Sequence, residues 1–435
     1  MTARAGRVPT ARLAGLLAAA AVAILAAGAG LPARAAGPAA TGLLLAVGVA
    51  AAVDALRAPR ARDLVFSRSI AGPLRFGRPA AVRLRLAWLA QRAGAGTTVF
   101  WTDGTPPEVA PEQPSGQVRL GAGLAPVAIH YQVQPRRRGQ VRWSGPLLAA
   151  RSPMGLWQTV VRAGGATART VYPGAATSAG APGDRFVGRA MGTGDAGLEF
   201  DGVRPYVSGE DARRIHWRAS ARRDQPVVRL LRPERGRRLL LAVDAGRWSA
   251  QALDASGTTR LDAFTAAALE VAAAALAAGD SVGMLLLTAP APARPLAPRP
   301  GPAALGPLAQ ALAAATPGDG DPDAVAAVAG VARSGADVVL WFTELPSPVD
   351  SAEWLRRLPA LARRLPVVVV CVRAAGPPQP SVELAAAAAE LEAVRGQTLA
   401  RLRRGGVPAW DGPPERCGAL ALAAYRHCQV GVGAR

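Results

Sequence analysis

The fold is decided by the stretch GLEFDGVRPYVSGEDARRIHWRASARRDQPVVRLLRPERGRR, residues 197–238, which runs directly into LLLAVDA, residues 239–245. The first part carries eleven arginines and four acidic residues between Arg204 and Arg238, yet aromatic and aliphatic residues interrupt the charges. A solvated basic tail would lack such apolar residues. The apolar run that follows predicts a buried strand. The stretch therefore predicts an ordered segment joined to the first strand of a folded domain.

Strands and helices alternate through the rest of the chain. Continuous apolar runs predict strands at 239–245, 281–287, 337–345, 367–372 and, in the short VPAW stretch, 407–410. Amphipathic stretches predict helices at 259–278, 323–333, 351–365 and 382–404. A short helix is also predicted to end at Ala315, and a last helix to begin at Glu415. A proline-rich loop is predicted at 290–302. Apolar strands that alternate with helices indicate an open α/β domain, whose parallel sheet binds ligands at the carboxyl ends of its strands.

Residues 63–174 predict a β-sandwich-like domain. Apolar or alternating stretches such as VRLRLAWLA, TTVFWTD, VAIHYQVQP, QVRWSGPLL and ARTVYPG are separated by Gly, Pro and Ser. This spacing, without a helical period, is typical of antiparallel strands. Arg136, Arg137 and Arg138 either contact lipid or a partner or form a solvated entry to a strand, and the second interpretation is preferred. Residues 175–195 predict a flexible linker, because they are rich in Ala, Gly, Ser and Thr.

Two apolar stretches near the N-terminus, residues 13–31 and 37–53, are each close to the length that spans a bilayer. Only PARAA separates them, which predicts a transmembrane helical hairpin over residues 1–62. Arginines precede the first stretch and follow the second, whereas Arg34 is alone in the turn, so we expect a two-span protein of the cell membrane with both termini in the cytoplasm. Alternatively, the first stretch is a secretory signal peptide with small residues at 33–36. Small residues in both stretches also suit self-association of the hairpin.

The charge of the chain does not by itself predict a nucleic-acid partner. The formal net charge is +21 and the isoelectric point is near 11.5, but every basic residue is arginine and none is lysine. A GC-rich coding sequence would produce this bias without selecting a phosphate-binding surface, so no nucleic acid is expected. A cytoplasmic face against anionic lipid explains the surplus better. The cysteines form no C-x-x-C pair and the histidines are scattered, so we expect no zinc site, disulfide framework or cofactor.

The arginine-rich segment resembles the domain of unknown function 58 family. The pattern R-x-Y-x-x-G-x-D-x-x-R-I-x-W-x-A-S-A-R, here called the signature, falls on Arg204, Tyr206, Gly209, Asp211, Arg214, Ile215, Trp217, Ala219, Ser220, Ala221 and Arg222. Turns like those of family members precede it at 135–145 and 152–157. The resemblance implies a membrane-anchored protein with a von Willebrand factor type A-like open α/β domain over 196–435. It also implies association with MoxR-type AAA+ ATPases.

The resemblance further implies a cation-binding D-x-S-x-S loop after the first strand. Here that loop reads Asp244-Ala245-Gly246-Arg247-Trp248, so both serines are absent and an arginine lies beside the expected ion. Hard divalent cations require oxygen ligands. Ser249, Asp254, Thr343 or Glu344 could replace the missing oxygens, but we expect a degenerate site without metal. Asp244, the weak candidate ligand, is expected to cap the turn or pair with an arginine.

An enzymatic interpretation would place the chemistry in the signature. Asp211 and His216 could form an acid–base pair, and Ser220 could serve as a nucleophile. However, the segment lacks features of an oxyanion hole, and no second histidine is nearby. We therefore predict that the protein is not an enzyme. The chain contains no P-loop, so any ATP hydrolysis must come from a partner.

We predict that the signature residues support the structure and dock a partner, and that they do not catalyse a reaction. Tyr206 and Trp217 are expected in the core, Gly209 in a turn, and Asp211 paired with an arginine, because an unpaired buried charge is costly. Other guanidinium groups could bind carboxylates or phosphates through paired hydrogen bonds. The predicted docking residues are Arg204, Tyr206, Gly209, Asp211, Arg214, Trp217, Arg218 and Arg222. The expected function is a membrane-anchored scaffold that docks a protein partner, which the resemblance implies to be an AAA+ ATPase. The alternatives are a metal-dependent ligand-binding or adhesion protein and a hydrolase.

Overall fold

The computed structural model describes residues 5–30, 33–88, 97–121, 126–174, 198–207, 216–222, 225–233, 236–290, 295–374 and 382–431. The chain divides into two compact units, Met1–Tyr172 and Pro173–Arg435. The linker predicted at 175–195 lies outside the described residues, as do three predicted docking residues, Gly209, Asp211 and Arg214.

The first unit begins with a short strand and a helical hairpin. Strand β1 spans Ala5–Pro9, helix α1 spans Ala11–Gly30 and helix α2 spans Ala33–Arg57. Both helices are long and apolar enough to cross a bilayer, and little of either is buried. The predicted pair of helices is therefore present, and the second extends four residues beyond the predicted stretch at each end.

Two sheets complete the first unit. The smaller sheet contains, in spatial order, β2 (Leu64–Ile70), β4 (Ala80–Trp88), β8 (Val127–Pro135) and β6 (Val109–Pro111). The larger sheet contains β1, then β10 (Trp157–Arg162), β9 (Gly139–Arg151), β11 (Thr167–Tyr172) and β3 (Leu74–Arg75). Strand β5 (Thr97–Gly104) also pairs with β9, and β7 (Ser115–Leu120) pairs with β5.

The two sheets of the first unit share one hydrophobic core. In β4, Val82, Leu84 and Leu86 are buried while Arg83 and Arg85 are exposed, because side chains alternate between the faces of a strand. The larger sheet contributes side chains such as Trp143 to the same core. This arrangement agrees with the predicted sandwich.

The second unit contains a two-stranded ribbon and a six-stranded sheet. The ribbon pairs β12 (Leu198–Pro205) antiparallel with β13 (Val227–Pro233), and the short helix α3 (Trp217–Ser220) lies between them in the chain. The sheet has the spatial order β16 (Leu296–Pro300), β15 (Ser281–Leu287), β14 (Arg238–Asp244), β17 (Val338–Phe342), β18 (Val367–Val372) and β19 (Ala409–Gly412). All neighbours are parallel except β15 and β16.

Helices cover both faces of the six-stranded sheet. They are α4 (Arg260–Ala277), α5 (Leu305–Ala314), α6 (Ala324–Ser334), α7 (Ala352–Ala362), α8 (Val382–Arg404) and α9 (Cys417–Gly431). Leu239, Leu241 and Val243 pack in one apolar cluster with α4, α5 and α9, while Leu240 and Ala242 pack in a second with α6, α7 and α8. The predicted α/β class is confirmed, because β14 is buried on both faces.

The predicted proline-rich loop at 290–302 is partly wrong, because it contains the edge strand β16. Proline lacks a backbone N–H and is tolerated at a sheet edge, where one side of the strand needs no partner. Gly283 in β15 allows the close approach of this strand, since an added Cβ would lie 2.6 Å from the carbonyl oxygen of Leu296. A second difference concerns the strand predicted at 337–345, which ends at Phe342 and leaves Thr343 and Glu344 beyond it.

Candidate functional site

The candidate site lies at the carboxyl end of β14, where the chain connects first to the strand on one side and later to the strand on the other. Strand β14 has β15 on one side and β17 on the other, and the chain visits β15 first. Ligands of open α/β sheets bind at the carboxyl ends of strands around such a point. Asp244 ends β14, and Thr343 and Glu344 follow β17.

Asp244 is buried, and both of its carboxylate oxygens accept hydrogen bonds. The backbone N–H of Gly246 donates to Oδ1 over 2.8 Å, and the hydroxyl of Thr343 donates to Oδ2 over 2.6 Å. Burial raises the pKa of Asp244 to about 6, although the two hydrogen bonds oppose this shift and the charges of Asp321 and Glu344 add to it. Asp244 therefore caps the following turn, as one of its two predicted roles requires, and joins the ends of two strands.

The loop after β14 is closed by a second loop of the sheet. An added Cβ on Gly246 would lie 2.5 Å from Cδ of Pro322 and 3.0 Å from the carbonyl oxygen of Gly320. The backbone N–H of Arg247 donates to the same Gly320 oxygen over 2.9 Å, and its guanidinium pairs with Asp321 over 2.8 Å. The place of the first serine in the implied cation loop is thus filled by neighbouring backbone and proline.

Two buried arginines meet one glutamate beside this point. Nε of Arg260 lies 3.1 Å from one oxygen of Glu344, and Nε of Arg395 lies 2.7 Å from the other. Arg395 also lies 2.7 Å from a carboxylate oxygen of Asp411. Burial lowers the pKa of Arg260 despite the charge of Glu344. Burial has the same effect on Arg395, but the charge and hydrogen bonds of Glu344 outweigh it and hold the pKa of Arg395 above its ordinary value.

These contacts do not fit a bound divalent cation. Such an ion needs several oxygen ligands that are not already engaged, whereas Asp244 and Glu344 have no unengaged carboxylate oxygen. Asp254 accepts hydrogen bonds within its own turn, and Ser249 is buried with its hydroxyl unpartnered. Among the residues that the structure describes, no three His, Cys, Asp or Glu side chains converge to hold a metal. The guanidinium of Arg260 supplies the positive charge beside these carboxylates.

The described part of the signature lies on the ribbon and on α3. Arg204 is in β12, opposite Val228 of β13, and Tyr206 follows that strand and is half-buried. Trp217 and Arg218 begin α3, and both are exposed.

Trp217 is not a core residue, contrary to the prediction. Its side chain is 70% exposed, and α3 buries none of its residues. The helix is capped by His216, whose Nδ1 accepts the backbone N–H of Ala219 over 3.2 Å. The sequence cannot distinguish an exposed indole from a buried one here, because four helical residues are too few to define an apolar face.

The two candidate catalytic side chains of this region bind backbone groups. The hydroxyl of Ser220 donates to the carbonyl oxygen of His216 over 3.1 Å and accepts the N–H of Val227 over 2.9 Å. These contacts fasten α3 to the beginning of β13. The third candidate, Asp211, lies outside the described residues.

Comparison with known proteins places this region in a family. Residues 202–382 match the family described as Protein of unknown function DUF58. This part of the chain belongs to the DUF58 family. The DUF58 match includes the signature, most of the ribbon and the strands from β14 to β18. No curated protein matches the chain.

A solved structure with similarity to the chain is a glycosyl hydrolase family 2 member from Bacteroides cellulosilyticus DSM 14838. The identity is 11%, the TM-score is 0.18, and the alignment covers 76% of this chain and 38% of that protein. The chain thus spans well under half the length of that protein, and a likeness at this level carries no argument about this chain.

The sequence analysis missed three members of the buried charge cluster. Arg260, at the start of α4, lies within the DUF58 match, while Arg395 and Asp411 lie beyond it. The position of Arg260 directly before an apolar helix was one available signal. Arg395 lies on a long polar helix, where nothing in the local sequence distinguishes it from solvated arginines.

Proposed function

We propose that this chain is a membrane-anchored, non-enzymatic interaction protein that docks a protein partner through its signature. The observation that carries the proposal is the exposure of Trp217, 70% accessible in a segment where Arg218 and Arg222 are also exposed. Indole and guanidinium groups are the side chains that most often dominate binding energy at protein interfaces. An exposed tryptophan beside two exposed arginines therefore suits a contact with an acidic, partly apolar partner surface.

The proposed anchor is the hairpin of α1 and α2. Both helices expose large apolar side chains, among them Leu25 at 75% and Leu45 at 63%. Exposed apolar surface costs about 25 cal/mol for each Å² in contact with water, a cost that a bilayer removes. The arginines that flank the hairpin favour a cytoplasmic location for both termini. The small residues of the hairpin also suit its self-association.

Among the described residues, the candidate catalytic side chains form structural hydrogen bonds and ion pairs, which supports the proposed absence of catalysis. Ser220 and His216 bind backbone, and Asp244 and Glu344 are held in closed contacts with neighbouring side chains. A type A-like fold for the α/β domain is supported by Asp244 at the end of its first strand, beside Thr343. The proposed partner is a MoxR-type AAA+ ATPase, as the family resemblance suggests.

The test is crosslinking of the tagged full-length protein in native membranes, followed by mass spectrometry. Trp217→Ala should lower capture of an AAA+ ATPase by about tenfold, because loss of an interface hot spot costs more than 1 kcal/mol. Leu391→Ala is the matched control, since Leu391 is also 70% exposed and lies on α8 of the same unit. Equal capture by both variants, with unchanged circular dichroism, would contradict the docking proposal.

Metal-dependent ligand binding is the second candidate, and the engaged carboxylate oxygens of Asp244 and Glu344 oppose it. Titration calorimetry with Mg²⁺ or Mn²⁺ tests it, because binding heat that disappears in Asp244→Ala would establish a metal site. The remaining candidate is a hydrolase, and turnover that is lost in His216→Ala while partner capture is retained would establish it.

A further inference from the structure

The turn between β9 and β10, Ser152–Trp157, is bonded to the end of α2 through a buried carboxylate. Asp54 lies in the last turn of α2 and is 0% exposed. It accepts the hydroxyl of Ser152 over 2.5 Å and the backbone N–H groups of Met154 and Leu156 over 2.8 and 2.9 Å. One side chain of the hairpin therefore satisfies three donors of this turn.

Two further side chains of β10 reach the same helix end. The indole N–H of Trp157 donates to the carbonyl oxygen of Ala51 over 2.9 Å. The hydroxyl of Thr159 donates to the carbonyl oxygen of Pro59 over 2.5 Å. Ala51 is one turn before Asp54 in α2. The indole ring of Trp157 therefore lies beside the last two turns of this helix.

The other helix is joined to the same turn at its beginning. The backbone N–H and the hydroxyl of Thr10, the residue before α1, donate to the carbonyl oxygens of Leu156 and Gly155 over 2.9 and 2.6 Å. The residues just before Thr10 form β1, which pairs with β10. The turn is thus held between the start of one helix and the end of the other.

These contacts fix the depth of the turn if the hairpin spans a bilayer. The 20 residues of α1 give a length of about 30 Å, which matches the hydrocarbon core and places Thr10 at its boundary. Ala51 lies two residues before Val53, the end of the second apolar stretch. Both helix ends therefore bring the turn to the same boundary.

We infer that the Ser152–Trp157 turn is a lipid-contact surface that seats the β-sandwich on the bilayer, in the headgroup layer of an anionic membrane. This inference rests on the proposed membrane anchor. Pro153 and Met154 at the tip of the turn are exposed, Met154 by 50%. Trp157 has the amphipathic ring that is enriched at membrane interfaces, and the guanidinium of Arg12 lies against Gly155, where it can meet lipid phosphate.

The other lipid-contact candidate in the sandwich lies at the opposite end of the same strand. Strand β9 has 13 residues, Gly139–Arg151, and an extended strand of that length measures about 40 Å. The turn at 136–138 precedes its first residue, while the Ser152–Trp157 turn follows its last. Arg137 therefore lies at the end of β9 opposite the Ser152–Trp157 turn, and we expect it in water, as the preferred solvated interpretation states.

The test uses nitroxide labels on the full-length protein in nanodiscs of phosphatidylcholine and phosphatidylglycerol. Single labels are introduced by Met154→Cys, Arg137→Cys and Leu25→Cys, since the three native cysteines are buried. Accessibility to oxygen and to a water-soluble nickel chelate gives the depth of each label. We expect the label at 25 in the hydrocarbon core, the label at 154 in the headgroup layer and the label at 137 in water.

The three labels separate failure of the inference from failure of the anchor. If the label at 154 meets the nickel chelate as freely as the label at 137 while the label at 25 lies in hydrocarbon, the lipid-contact surface is overturned and the anchor stands. If the label at 25 is itself in water, the anchor is overturned and the inference with it. Met154 is exposed, so its replacement leaves the core intact.

Discussion

Asp244 shows how the environment of a single side chain sets its chemistry. Its carboxylate is enclosed between two strand ends and bonded to one hydroxyl and one amide, neither of which is charged. The ionised form loses more through burial than it gains from these hydrogen bonds, so the pKa rises to about 6. An uncharged side chain of the same shape would keep both contacts, since an amide oxygen can accept from Gly246 while the amide nitrogen donates to Thr343.

We predict that Asp244→Asn stabilises the α/β domain increasingly as the pH rises from about 4 to 7. The folded pKa lies above the ordinary value of 3.8, so the folded protein binds more protons in this interval and loses stability as the pH rises through about 6. Asparagine does not titrate, and the gain should reach about 3 kcal/mol at neutral pH. Hydrogen exchange of the β14 amides, corrected for intrinsic rates at each pH, measures this gain in stability.

Asp254→Asn is the control for this pH dependence. Asp254 accepts hydrogen bonds from Ser256 and Thr258, which lower its pKa against the opposing effect of burial. Its contribution to the free energy of unfolding is present above the ordinary pKa and is lost only as the pH falls through the lowered pKa. The Asp254→Asn difference should therefore be constant between pH 5 and 7, and the same slope in both variants would refute the assignment to Asp244.

Individual side chains were predicted unevenly from the sequence. The position of Asp244 at the end of the first strand follows from the apolar run before it, and the loss of both serines is read directly. The exposure of Trp217 and the pairing of Arg260 with Glu344 could not be read in the same way. Both features depend on the positions of segments that are distant in the chain, and local residue patterns do not predict those positions.

The strands and helices follow the sequence where their burial is uniform. Strands β15 and β18 and helix α8 have the predicted bounds. The two strands are apolar runs that are buried on both faces, so each strand ends where its apolar run ends. Strands β1 and β16 were missed. Both are edge strands that contain proline and little apolar alternation, so only pairing with a neighbour defines them.

The carboxylate of Asp54 accepts three of the hydrogen bonds that join α2 to the sandwich. We predict that Asp54→Ala lowers the stability of the first unit by about 3 kcal/mol, because it leaves buried donors of the Ser152–Trp157 turn without an acceptor. The turn should then exchange its amide hydrogens much faster in the full-length protein, as measured by mass spectrometry.

Asp63→Ala is the matched control for Asp54→Ala. Asp63 is partly exposed and lies 3.8 Å from the exposed guanidinium of Arg62, a contact of little energetic weight. Its removal should leave exchange in the turn unchanged. Unaltered exchange in Asp54→Ala as well would contradict the prediction and would assign the joint to the contacts of Trp157, Thr159 and Thr10.

The proposed membrane anchor can be tested through the order of the elements along the chain. Strand β1 precedes α1 yet pairs with β10 in register, Val8 opposite Gln158, so the N-terminal residues and the sandwich share one sheet. A secretory signal peptide cleaved after 33–36 would remove the edge strand of that sheet. Within the described ranges, α1 and α2 are long and apolar enough to span a bilayer. The proposed anchor, with arginines on both flanks of the hairpin, places the sandwich and the α/β unit in the cytoplasm.

We therefore predict that Arg7→Cys, Arg137→Cys and Leu391→Cys react with a membrane-impermeant maleimide only when the cytoplasmic face is accessible, since all three positions are exposed. Arg34→Cys, at the start of α2, is the opposite control and should react only from outside. The intact mass of the purified protein should include residues 1–36. Reaction of Arg137→Cys from outside, together with loss of those residues, would establish the signal-peptide alternative, because the flanking arginines would then have failed to retain the chain in the cytoplasm.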